Sequence, residues 1–169
     1  MVHDPVLKQR LDFSRTSDPD GGEVLHVEIW VDPGGGVTPH VHPGMEERFE
    51  VLAGSPSFLA GRRWRTAAVG ETVVVPPGTR HAYRNRGEET AHMVCHARPP
   101  STLQEFLEEA AALSRAGKIA RRWALPTSFG ALRGALAMAE RHRAMAVLLF
   151  PPMPPRFVQR LLLPRNNHS

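Results

Sequence analysis

The stretch GGGVTPHVHPGMEERFEVLAG, residues 34–54, decides how this chain is read. His40 and His42 stand two apart, and on an extended strand such residues point to one face, as a shared ion requires. Pro43-Gly44 supplies a turn. After it, Phe49 and Val51 alternate with Arg48 and Glu50 until Gly54 ends the run. A carboxylate from that second strand, Glu46 or Glu47, can close one side of a metal shell. Imidazole plus carboxylate is a donor set for iron, manganese, nickel, zinc or copper. Further along, GETVVVPPGTRHAYRN, residues 70–85, places a β-branched run before Pro76-Pro77-Gly78. That tight turn can feed His81 into the same interior as a fourth ligand.

The flanks speak the same structural language. Leu25, Val27, Ile29 and Val31 alternate with His26, Glu28 and Trp30; Phe58 and Ala60 precede a turn at Gly61-Arg62-Arg63, with Trp64 and Thr66 on the return; a last strand covers about Ala91 to Ala97 and stops at Pro99-Pro100. Short strands between Gly/Pro turns signal a sandwich or barrel. This reading starts the first strand at Val24, with about 23 residues ahead of it.

The two stretches together resemble the paired signature motifs of the cupin superfamily, G-x5-H-x-H-x4-E-x6-G and G-x5-P-x-G-x2-H-x3-N, with fifteen residues between them. The resemblance covers residues 34–85. It implies an all-β cupin, a double-stranded β-helix or jelly-roll barrel, from roughly Val24 to Ala97. It also implies a metal held by His40, His42, Glu47 and His81. Glu46 is the competing acid, and the six residues separating the acid from the closing glycine favour Glu47. Having that acid argues against the three-His sites of thiol dioxygenases.

Past Pro100 the pattern turns helical. Thr102 with Glu105 three residues on reads as a capping box. Leu103, Phe106, Leu107, Ala110 and Leu113 share one helical face, and Gly117 is the stop. A second helical pattern runs from about Ser128 to Leu149, ending at Pro151-Pro152, and a short apolar segment, Phe157 to Leu163, follows. The expected organisation is therefore a barrel over residues 1–100 and a C-terminal α-helical appendage over 101–169.

Composition bounds the rest. Apolar residues at 41% and charged residues at 22% are those of a globular chain, which excludes wholesale disorder. Cys95 is the only cysteine, so no intramolecular disulfide can form. The absence of a recognisable leader or of a ~20-residue apolar run makes a cytoplasmic protein the expectation. Charge is divided: residues 1–110 carry 11 Lys/Arg against 16 Asp/Glu, while residues 111–169 carry 10 against Glu140 alone. The basic segment from Arg133 to Leu149 is compatible with a membrane surface. Its cations do not segregate to one face, however, which favours packing on the barrel or on a second subunit. Nothing points to nucleic acid.

Tyr83 and Phe49 share strand parity with His81 and Glu47, so both are pocket candidates, with plain core packing as the competing role. Arg80 and Arg84 have the opposite parity and are expected outside. On the last strand, either His92 and His96 or Met93 and Cys95 face inward, and the sequence leaves this open; Cys95 reads as a small buried hydrophobe. The resemblance implies two functional classes. One is a small-molecule enzyme, dioxygenase-like or a cyclase or isomerase of an enolisable substrate, with Glu47 a possible base. The other is a non-catalytic module that binds or senses a small ligand. A homodimer is expected, since cupin barrels commonly pair through their sheets.

Overall fold

The computed structural model describes residues 1–120, 125–143, 145 and 147–148. Ten strands precede the first helix: β1 Val2–Asp4, β2 Gln9–Ser17, β3 Glu23–Val31, β4 His40–Val41, β5 Glu46–Ala53, β6 Ser57–Ala60, β7 Arg63–Thr66, β8 Thr72–Val75, β9 His81–Arg84 and β10 Ala91–Arg98. Then come α1 Leu103–Arg115, β11 Ile119–Ala120, β12 Leu125–Pro126, α2 Phe129–Arg141 and β13 Val147–Leu148. A six-stranded sheet runs β1-β2-β3-β10-β5-β8 and a five-stranded sheet runs β13-β4-β9-β6-β7, all through antiparallel pairs.

Period-two patterning builds the core between these sheets. In β3, Leu25, Val27, Ile29 and Val31 are buried and their alternates lie half-buried on the outer face. β10 settles the question its sequence leaves open. Met93 and Cys95 point inward and are buried, whereas His92 and His96 lie outside against Trp30 and His26 of β3. Phe49, Phe58 and Tyr83 meet across the interior with ring centroids 5.3–6.4 Å apart.

Two strands precede the expected start at Val24. Gln9 and Leu11 of β2 are buried and Phe13 partly so, but the outer half of the strand, Ser14 to Ser17, is polar and exposed. With so little apolar alternation, the pattern is too short to register as a strand.

The C-terminal part docks on the barrel. Ser114 of α1 donates to buried Asp4, and Arg115 donates to the His3 carbonyl. The helix therefore buries Leu103, Ala111 and Ser114, with Phe106 and Leu107 packed at the core margin, a stripe rotated from the expected one. The capping box does not form: Thr102 makes no capping bond, and its hydroxyl instead meets His142 Nδ1 at 2.8 Å. The helix stops as expected, with Gly117 at φ +66°. α2 is capped by Ser128, which accepts from Ala131 N, but it ends at Arg141 rather than near Leu149. Beyond it the backbone pairs as β13 with β4, so edge-strand hydrogen bonding takes the place of further helix. The Pro151-Pro152 stop and the Phe157–Leu163 segment lie outside the described residues.

Candidate metal centre

The two sequence stretches meet through their backbones before their side chains meet. Gly34 N donates to Asn85 O and Asn85 N to Gly35 O, both at 2.9 Å. Gly36 lies against β9 so closely that a Cβ there would sit 2.3 Å from Tyr83 O, and a side chain is excluded. Buried Asn85 holds the carbonyls of Val31 and Glu89 through its amide. At the other end of β9, the Pro76–Gly78 turn places Gly78 at φ +75°, and its N–H donates to His42 O at 2.8 Å. The turn that launches His81 is thereby bonded to the backbone of His42.

His40 on β4 is the cross-strand partner of His81 on β9, with ring centroids 4.1 Å apart. His42 follows β4, with its ring 4.8 Å from His40 and 5.0 Å from His81. Glu47 comes from the other sheet, where it pairs with Ala97 of β10 and Val75 of β8. One donor atom from each of these four residues lies within 4.8 Å of every other. A transition-metal ion with donor bonds of about 2.0–2.2 Å would close that spread through small side-chain shifts. Glu46, with opposite parity, is half-buried and outside this group.

The tautomers follow from the acceptors. His40 Nδ1 lies 2.9 Å from Thr38 O, His81 Nδ1 2.8 Å from Thr79 O, and His42 Nδ1 2.9 Å from Met145 O. A carbonyl oxygen only accepts, so each Nδ1 carries the hydrogen and each neutral ring presents its Nε2 lone pair to the centre. Such outward hydrogen bonds are what orient metal-binding imidazoles. The inward atoms are correspondingly orphaned: His42 Nε2, His81 Nε2 and Glu47 Oε2 are buried without a hydrogen-bond partner. His81 Nε2 nonetheless lies 2.8 Å from Glu47 Oε2, and His42 Nε2 lies 3.4 Å from Glu47 Oε1. Lone pairs crowded this way in a dry interior are costly unless a cation or a proton sits among them. The donor set therefore fits a divalent ion.

Electrostatics differ among the ligands. Burial, with the His81 ring beside it, pushes His40 down to about 3, so it is neutral and available near pH 7. Burial favours neutral Glu47, but the His42 and His81 imidazoles outweigh it and hold the carboxyl below its ordinary range. Burial likewise lowers His42, and the Glu47 carboxylate more than offsets this, leaving it raised.

Of the pocket candidates, Phe49 and Tyr83 both face the interior at 2% and 6% exposure, and the Tyr83 hydroxyl donates to Gln9 Oε1 at 2.6 Å. That bond commits the phenol to the core. Cys95 is buried on the same face, and burial together with nearby Glu47 pushes its thiol up. Arg84 lies outside, its guanidinium stacked 3.6 Å above the Trp64 ring, and Arg80 is exposed. Gln9 and the Met145 carbonyl are the site-supporting groups the sequence reading missed. A backbone acceptor has no sequence signature.

The Cupin domain family model matches residues 27–97. The fold is similar to that of KdgF from Halomonas sp., at TM-score 0.51 and 20% identity over 59% of this chain and 86% of that one. It is also similar to an RmlC-like cupin from Shewanella frigidimarina NCIMB 400, at TM-score 0.50 and 17% identity over 59% and 83%. At these identities the likeness concerns fold alone. No curated protein matches the sequence. Residues 27–97 thus form a cupin domain, and it carries a His-His-Glu-His cluster that could bind a metal ion.

Proposed function

We propose that His40, His42, Glu47 and His81 hold one divalent transition-metal ion and that the centre acts on a small enolisable molecule. The observation that carries this reading is the commitment of all three Nδ1 atoms to backbone carbonyls, which leaves three Nε2 lone pairs and a carboxylate converging on one point. A bound iron, manganese, nickel, zinc or copper ion would supply Lewis acidity toward a carbonyl or enolate oxygen, and iron, nickel or copper would also supply dioxygen chemistry. The protein's part is to hold the imidazoles in their neutral tautomer and to keep water out. Approach of a substrate is easiest beside His40, the most exposed of the four. Glu47 is a weak base while it lies between His42 and His81, so a role in proton abstraction requires it to leave them.

A second reading, in which the ion fixes a ligand or the barrel without turnover, is favoured by burial. His42, Glu47 and His81 are 3%, 5% and 2% exposed, and Met45, Phe58 and Met93 are buried in the core of the same domain. The deciding experiment is metal analysis of freshly purified protein, followed by oxygen uptake and solvent-deuterium exchange with enolic compounds. Protein that neither retains nor takes up an ion refutes both readings. Ion-loaded protein without turnover leaves the non-catalytic one.

A further inference from the structure

The three histidines are not oriented alike. His40 and His81 each bond a carbonyl two residues back on their own strand, so the barrel supplies their orientation. His42 bonds the carbonyl of Met145, 103 residues away and beyond α2. That contact is buried, and further interactions fix the segment that provides it. Met145 is 2% exposed and belongs to the hydrophobic core. Its N–H donates to His142 O at 2.9 Å, and His142 is itself 8% exposed, bonded to Thr102 and Glu109, with its ring edge-on to Phe106 of α1. On the other side of Met145, β13 pairs Val147 with Val41 and Leu148 with His40, on the strand that leads into His42.

We propose that the C-terminal segment carrying His142, Met145 and β13 is a positioning element of the metal centre, and that ion binding and docking of this segment are coupled. The proposal rests on the metal reading above. Without the Met145 carbonyl, nothing described holds the His42 hydrogen on Nδ1, and the ring is free to present N–H instead of a lone pair to the centre. Equally, an ion on Nε2 makes the Nδ1–H a stronger donor to Met145. Coupling of this kind is reciprocal: what the segment adds to ion affinity, the ion adds to docking of the segment. Met145 is thus a positioning residue that acts through its main chain, and His142 holds it in register.

The test uses full-length protein and Zn²⁺ as probe. Zn²⁺ affinity is measured by chelator competition for wild type, His142→Ala and Met145→Ala. Leu11→Ala, a core truncation on β2, serves as a control for lost stability. Backbone hydrogen exchange across residues 141–148 is followed with and without Zn²⁺. The expected result is about 10–100-fold weaker binding in the first two variants, the usual cost of losing a histidine's outer hydrogen bond. The control should show little change, and Zn²⁺ should slow exchange in the wild-type segment. Equal Zn²⁺ affinity in wild type and both segment variants would overturn this inference alone. So would wild-type exchange at 141–148 that Zn²⁺ leaves unchanged, a measurement that stands even if a variant fails to fold. Wild type that takes up no ion would overturn the metal reading as well.

Discussion

Glu47→Gln beside Glu46→Gln is the sharpest test of the candidate centre. Both changes remove one charge and preserve volume, yet the two acids lie on opposite faces of β5: Glu47 is 5% exposed among three imidazoles, while Glu46 stands half-buried on the outer side opposite Arg98. Structural zinc centres bind with about 10–16 kcal/mol, so one donor in four contributes roughly 2.5–4 kcal/mol, or about 10²–10³ in Kd. The consequence can be read as a melting shift. At free Zn²⁺ of 1,000 times the wild-type Kd, the native state gains about 4 kcal/mol, which for a chain of this length raises Tm by about 8–16 °C. A hundredfold weaker site in Glu47→Gln retains only about 1.4 kcal/mol, or about 3–6 °C, at the same Zn²⁺. Glu46→Gln should match wild type. The assay is differential scanning fluorimetry across a Zn²⁺ titration, with bound metal counted by mass spectrometry. If Glu46→Gln loses the shift and Glu47→Gln keeps it, the ligand assignment is wrong.

Three further outcomes are expected. His40 is held down at about 3 from an ordinary 6.5, so its contribution to folding is intact above pH 6.5 and falls as pH drops from 6.5 toward 3, because the unfolded chain takes up a proton the native one refuses. The unfolding free energy of metal-free protein, from urea titration, should fall by up to about 1.4 kcal/mol per pH unit in that window and more gently in His40→Gln; equal slopes would refute the assignment. Truncation after Pro100 strips Leu103 and Met145, at 4% and 2% exposure, from the core and leaves Asp4 without Ser114, a loss of about 3–6 kcal/mol in the two apolar side chains alone. Aggregation or severe destabilisation is expected, and soluble residues 1–100 with an unchanged Tm would show the tail to be dispensable. Finally, the outer face of the six-stranded sheet carries Trp30, Leu52, Val74 and Val94 in a half-exposed state, consistent with a homodimer; light scattering that reports a monomer at micromolar concentration would count against it.

What could be read from the sequence, and what could not, divides by range of interaction. Strands β3, β5, β8 and β10 were legible because each buries one face, and alternation in Leu25 to Val31 or Ala91 to Ala97 is a local consequence of that burial. The four-residue cluster was legible because histidines two apart on a strand share a face and because both stretches resemble the cupin motifs, whose glycines Gly34 and Gly78 take positive φ here. The inward choice of Met93 and Cys95 over His92 and His96 was not, since both alternations fit a strand and only the register with β3 and β5 decides. The tail was read least well. Its helix was extended to Leu149 on amphipathic spacing alone, whereas after Arg141 the backbone pairs with β4 and offers Met145 O to His42.

A donor set can be recognised from side-chain identities, but its competence depends on which nitrogen of each ring holds a hydrogen, and that is decided by acceptors on the far side of the ring. Two of the three acceptors here are local, the carbonyls of Thr38 and Thr79, each two residues before the histidine it bonds. The third comes from a part of the chain outside the span matched by the Cupin domain model. Two chains with the same four ligands can therefore differ in ion affinity through segments that no ligand motif includes. In this chain the acceptor on His42 is the Met145 carbonyl, which lies between His142 and β13.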